Sequence, residues 1–413
     1  MADVRAFRCV RPSEEVVSRV AALPYDVYNR KEAKAIVEEN PHSFLAIDRP
    51  ETQFGDDVDI YDHRVYAKAR QMLDEWMAAG IFLADETDCY YIYELVMEGS
   101  RQTGIVACTA VDDYLNQVIK KHENTREEKE QDRIRHVDVT DANTGPIFLA
   151  YRSRPELNEL VMQVCQTAPL YDFVAEDGIT HRVWRVSDAA TVQQISTLFG
   201  EVPALYIADG HHRAASAVKV GLKRRQEQPD YDGTEPFNFF LAVLFPDEQL
   251  KILPYYRAVE DLGKLSLEAF LNEVKVRFTV ENLGKEPYQP AKKASFGMYL
   301  DGTWYRLTPH AGLIPEDLIG SLDVSVLQDG LLAPVLGIDD PRTDDRISFI
   351  GGIRGLKELE RLVDGGMAVA FSLYPTSIQE LLDVADAELL MPPKSTWFEP
   401  KLRSGLFIHK LTK

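Results

Sequence analysis

Short apolar runs and amphipathic stretches alternate along the whole chain, and the alternation predicts a fold that mixes helices and strands. Pro24 and Asp26 punctuate a loop before a helix from about Arg30 to Glu39, which Asn40-Pro41 stops. "YDHRVYAKARQMLDEWMAAG" predicts a second helix closed by Gly80. "CYYIYELVMEGSRQTGIVACTAV" predicts two strands around a Gly-Ser turn. A charged helix begins near Thr125, and a short strand follows at "PIFLAY". Further on come a helix at "ELNELVMQVCQ", strands at "YDFVAE" and "THRVWRV", and a helix with Asp188 as its N-cap. "FNFFLAVLFPDEQLKILPYYRAV" predicts a strand, a turn and another strand. From about Leu265 the pattern shifts to a separate α+β unit. The expected division is therefore residues 1–110, 111–262 and 263–413.

Length and composition narrow the class. The chain has 413 residues, 45% hydrophobic and 27% charged, which suits a well-packed globular protein of two or three domains. It lacks an apolar run of about 18 residues and a secretory leader pattern, so it is expected to be cytoplasmic, with no membrane partner. Cys9, Cys89, Cys108 and Cys165 are scattered without CxxC spacing and are expected to be reduced thiols. A net charge of -20 disfavours nucleic acid as a partner. It leaves room for a small anion held by backbone N–H groups.

The densest chemistry lies in "ALYIADGHHRAASA". A buried strand, "LYIA", runs into Asp209, Gly210, His211, His212 and Arg213, and a helix rich in small residues follows. Glycine permits a tight turn. The first N–H groups of a helix have no partners within it and sit at the positive end of its dipole. Such a junction is an anion site, and His and Arg add donors to it. A solvated helix start is the plainer alternative. Ala214, Ala215, Ser216 and Ala217 fit close packing of the helix on a sheet.

A second stretch, "KKHENTREEKEQDR", sets His122 beside Glu123. It falls short of the HExxH zinc signature because Arg126 stands where the second His belongs, and no third ligand at suitable spacing is visible. A carboxylate beside an imidazole still suits a general base. In "DANTGPIFLAY", Asn143, Thr144 and Gly145 fit turn chemistry, with ligand contact as the alternative, and Tyr25-Asp26 likewise reads as a turn. "ISFIGGIRGLKELE" lacks both GxGxxG and Gly-Lys-Ser/Thr, so it predicts a plain strand–helix turn. Lys394, Ser395, Thr396, Lys401 and Arg403 near the end are expected to anchor the C-terminus over another domain, with reach to an anionic ligand as the alternative.

"DGHHR" at a helix start resembles the nucleotide motif of the ParB/sulfiredoxin-like superfamily, and more narrowly that of its free L-serine kinases. "ALPYDV", "NPHSFLAID", "KHENT", "DANTGPIF" and "MPPKSTWFEPKLRSGLFIHKL" resemble a large family of bacterial and archaeal proteins linked to those kinases. The resemblance implies an α+β fold with a nucleotide-binding core over 111–262, flanked by N-terminal and C-terminal α/β elements. It implies ATP or ADP as phosphoryl donor, Mg²⁺ as cofactor and free L-serine as acceptor, and it leaves a homo-oligomer open. Gly210, His211, His212 and Arg213 would bind phosphates, with Thr125 and Asn143 as further nucleotide contacts. Glu123 would be the general base, His122 its neighbour in catalysis, and Asp209 would position Mg²⁺ or a histidine. Sulfiredoxin chemistry needs a cysteine in this motif, where the chain has His211 and His212. The remaining alternative is a nucleotide-binding regulatory switch without kinase activity.

Overall fold

In a computed structural model that describes residues 1–412, the chain forms two compact units. One comprises Met1–Leu250 with Pro400–Lys413, and the other Lys251–Glu399. The three-way division expected from sequence gives way to this one for a topological reason. Residue 110 ends a strand whose neighbours come from both sides of that boundary. Position 262 lies inside the second unit. The fold is mixed α+β.

The first unit is built in chain order from α1 (Arg30–Glu39), α2 (His63–Ala78), β1 (Tyr90–Met97), β2 (Ser100–Ala110), α3 (Glu127–Thr140), β3 (Ile147–Tyr151), β4 (Thr180–Val186), α4 (Ala189–Phe199), β5 (Leu205–Asp209), α5 (His211–Glu227) and β6 (Phe239–Pro246). Asn29 closes the start of α1 with a reciprocal capping box to Glu32. Asp188 caps α4 by accepting from Thr191 N at 2.9 Å. The β1–β2 turn falls on Glu98-Gly99, both in the left-handed region, one residue before the expected Gly-Ser pair.

A nine-stranded mixed sheet runs in the order Ile119–Lys120, β5, β3, β6, β2, β1, β4 and Tyr171–Val174, with Val4–Arg5 also pairing with β2. Ile92, Ile105, Leu149, Ile207 and Phe240 are fully buried in one core, and Ala214, Ala217 and Val218 of α5 join it. The small residues after "DGHHR" therefore do what their size predicts. Their helix also runs against α3, where Ser216 Oγ donates to the Glu130 carbonyl at 3.2 Å. Gly221 completes this fit, because a Cβ there would stand 2.6 Å from the Phe237 carbonyl oxygen.

The C-terminal segment returns to this unit, where Ile408–Lys410 pairs with Cys9–Pro12 and with Ala142–Asn143. Arg403, 2% exposed, forms an ion pair with Asp177. The four cysteines are free thiols, three of them buried.

The second unit holds a six-stranded antiparallel sheet whose strands include Tyr255–Val259, Phe296–Leu300, Thr303–Pro309 and Val369–Ser372. Trp304 and Phe371 are fully buried in it. "ISFIGG" forms the strand Ile347–Gly351, then one short turn before the helix Leu356–Asp364. The helix Ile378–Asp386 was not foreseen, although Ser377 and Glu380 form its capping box. No helix among the described residues is long and apolar enough to cross a membrane.

Candidate functional site

Parallel pairing assembles the site. Ile119 and Lys120 lie beside Leu205 and Tyr206, with both segments running the same way. Continuing that register brings the residues after Lys120 alongside those after Tyr206. The offset from Lys120 to Tyr206 is the same as from Glu123 to Asp209. Two motifs far apart in sequence thus meet at one end of one ladder. A register shift between Ile207 and Asp209, where β5 pairs with β3, breaks the strand just before the turn.

Gly210 adopts φ 95°, which favours glycine, and α5 starts at the next residue. No side chain caps this N-terminus among the described residues. The first amides of the helix are thereby arranged as an anion site. The Asp209 carboxylate accepts from Gly210 N at 2.8 Å and pairs with Lys401 Nζ at 3.1 Å. Burial works against the charged form, but Lys401 and Arg213 outweigh it and hold the carboxyl well below its ordinary range. Each oxygen has one of these partners, an arrangement that suits positioning of the turn.

Arg213 lies over the glycine, since a Cβ on Gly210 would come within 3.3 Å of its Nε. Its guanidinium donates to the Pro146 carbonyl at 2.9 Å. It also lines a small cleft with Tyr25, Asp48, Arg133, Asn143 and Thr144. The Arg133 guanidinium stacks over the Tyr25 ring at 4.0 Å, and Thr144 Oγ1 donates to Asp48 at 2.9 Å. Asn143 accepts from Leu241 N at 3.3 Å. "ALPYDV" and "DANTGPIF" thus meet at this cleft.

The two histidines separate in role. His211 is 7% exposed, and its ring meets that of His122 edge to face at 4.5 Å. His212 Nε2 instead accepts from Arg126 N at 3.0 Å, at the start of α3. Accepting at Nε2 places the proton of a neutral His212 on Nδ1, whereas the His211 ring is turned to His122. Burial pushes His122 down to about 4, and burial plus His122 pushes His211 well below the ordinary imidazole value. Both are neutral near pH 7. Thr125 hydroxyl donates to Glu130, which also pairs with Lys219, so Thr125 is occupied in anchoring α3.

His122, Glu123 and His211 each present a donor atom within 4.8 Å of the other two. Among the described residues, this is a group of three donors spaced so that it could hold a metal ion. Sequence reasoning missed His211 as its third member because the ligands come from two segments joined only by the parallel ladder. It also missed Asp48, Arg133 and the Lys401–Asp209 pair. Alternating charge around Asp48 carries no local signature. For Lys401 the one signal was a basic, proline-stiffened tail.

The Asp209–Lys401 pair yields a stability prediction. The Asp209 side chain is 35% exposed and that of Lys401 16%, so solvent screening limits the pair to about 1 kcal/mol. Lys401→Met is expected to lower stability by about that amount at pH 7. A depressed carboxyl pKa stabilises the fold above the unfolded value, about 4, and that stabilisation is lost as pH falls towards the folded value. The gap between variant and parent should therefore persist down to about pH 4 and close only as the folded carboxylate is protonated, well below that. Urea titrations at pH 7 and about pH 4 check that it persists.

Fold and site together define an α+β protein whose uncapped helix start adjoins two buried imidazoles and a half-buried carboxylate. The chain belongs to the family described as protein of unknown function (DUF1015), whose model matches residues 4–325. No curated protein matches the chain. Among solved structures, a free serine kinase in complex with AMP is 14% identical with a TM-score of 0.36, over 75% of this chain and 91% of that one. SbnI with a C-terminal truncation, from Staphylococcus aureus, is 12% identical with a TM-score of 0.38, over 72% and 85%. A conserved hypothetical protein from Pyrococcus furiosus is 15% identical with a TM-score of 0.34, over 74% and 94%. These are distant likenesses.

Proposed function

We propose that the protein is a phosphotransferase that moves the terminal phosphoryl group of ATP or ADP to the hydroxyl of free L-serine, giving O-phospho-L-serine. The observation that carries this reading is the meeting of the Gly210 turn and the start of α5 with Glu123 through one parallel ladder. Phosphoryl transfer needs positioning and charge neutralisation more than covalent help from the protein. The amides at the start of α5 and the Arg213 guanidinium supply neutralisation. Glu123 accepts the proton of the serine hydroxyl as its oxygen bonds to phosphorus and the nucleotide oxygen departs. His122 packs at the neighbouring position, and Asp209 holds the Gly210 turn. Asn143 borders the cleft on the Arg213 side. Mg²⁺ suits this reading as an ion carried by the nucleotide phosphates, which is how that ion is commonly held.

Purified protein incubated with L-serine, Mg²⁺ and either ATP or ADP should form phosphoserine, read by mass spectrometry with ¹⁸O-labelled serine hydroxyl. The label should be retained in the product. Absence of product with both nucleotides and a panel of hydroxyl acceptors overturns the reading. A nucleotide-binding switch shares the same phosphate contacts but makes no use of a carboxylate base, and the proximity of Glu123 favours the kinase.

A further inference from the structure

We propose that His122, Glu123 and His211 form a site for one divalent transition cation of the Zn²⁺ or Co²⁺ type, separate from any Mg²⁺ that accompanies a nucleotide. Their donor atoms all lie within 4.8 Å of one another. Three ligands around a tetrahedral ion, at bond lengths of about 2 Å, stand about 3.3 Å apart. Small side-chain rotations close that difference.

The donor set selects the metal. Two imidazoles and one carboxylate suit first-row transition ions, whereas Mg²⁺ prefers oxygen ligands and retains its waters. Three protein ligands leave a fourth position open, the pattern of a reactive zinc site and not of a closed structural one. Burial supplies the second observation. His211 Nε2 is buried and makes no hydrogen bond, although an unsatisfied buried polar atom is costly. A metal bond removes that cost. The two rings already stand edge to face, at an interplanar angle of 89°. His122 also makes a hydrogen bond to the Ile207 backbone, the kind of outer contact that fixes the orientation of a ligating ring.

The cation site does not depend on the phosphotransferase reading and is tested without nucleotide. A monodentate Glu123 leaves its second oxygen for other work, so the two readings coexist at one carboxylate. Full-length protein stripped with a chelator is titrated with Co²⁺, Zn²⁺ and Mg²⁺. One Co²⁺ or Zn²⁺ per chain is expected, with visible Co²⁺ absorption of a four-coordinate nitrogen–oxygen site and no displacement by equimolar Mg²⁺. His211→Ala and Glu123→Gln should each weaken binding by about 100-fold, at the upper end of what even outer contacts contribute. His310→Ala, at an exposed histidine of the second unit, should leave it unchanged. Circular dichroism of the metal-free variants checks that they fold. Anomalous scattering at the zinc edge, on crystals of the unaltered chain, gives a reading independent of the variants. An ion between the three side chains supports the site. No stoichiometric binding, an ion elsewhere, or affinity that survives both substitutions overturns it.

Discussion

Glu123→Gln is expected to lower the rate of phosphoserine formation by about 10²–10⁴-fold, the usual contribution of a positioned general base. Nucleotide affinity should change by less than about threefold, because the phosphate contacts come from a different segment, the Gly210 turn and the start of α5. Glutamine keeps the size of the side chain and removes its basicity, so packing around His122 and His211 is preserved. Rapid-quench turnover and calorimetric titration with ADP separate the two quantities. A variant that keeps its rate removes Glu123 from the chemistry. A variant that loses rate and affinity together makes the carboxylate part of the nucleotide contact.

Gly210→Val tests the other half of the site. Gly210 has φ 95°, a conformation that costs an L residue about 1–2 kcal/mol. The Cβ would also stand 3.3 Å from Arg213 Nε, pressing on the guanidinium that flanks the helix start. The expected result is a fall in nucleotide affinity of about 10–100-fold, equivalent to one charge-assisted hydrogen bond. Stability should fall by about 1–3 kcal/mol. Arg213→Ala separates the two effects, because it removes the guanidinium and leaves the backbone turn intact. Fluorescence titration with a labelled ADP and a thermal melt read both consequences. Unchanged affinity in both variants would detach the nucleotide from this turn.

Local signals in the sequence carried most of the fold. The strand before Asp209, the Gly210 turn and the helix after it follow from an apolar run, a glycine and a string of small residues. Asp188 and the Asn29 box are likewise local capping chemistry. Long-range pairing was not legible. The strand Ile119–Lys120 is only two residues long, too short for periodicity to register, yet it delivers His122 and Glu123 to the site. The division into units was missed for a related reason, since only the return of Pro400–Lys413 shows that the chain closes on its first unit.

Side-chain roles were legible by type more than by partner. Gly210 and Arg213 are found together at the helix start, as their spacing suggests. His211 and His212 look equivalent in "DGHHR" but lie about 100° apart around a helix. One ring therefore turns inward to His122 and the other meets the Arg126 backbone. The pairing of Asp209 with Lys401 was not legible, because Lys401 lies 192 residues further along the chain and carries no motif that announces it.

A crystal structure of the full chain with ADP and Mg²⁺ decides whether nucleotide phosphates bind at the start of α5. Phosphate oxygens are expected within hydrogen-bond distance of the backbone amides of His211–Arg213 and of the Arg213 guanidinium. Phosphates bound away from Gly210–Arg213 would overturn the assignment.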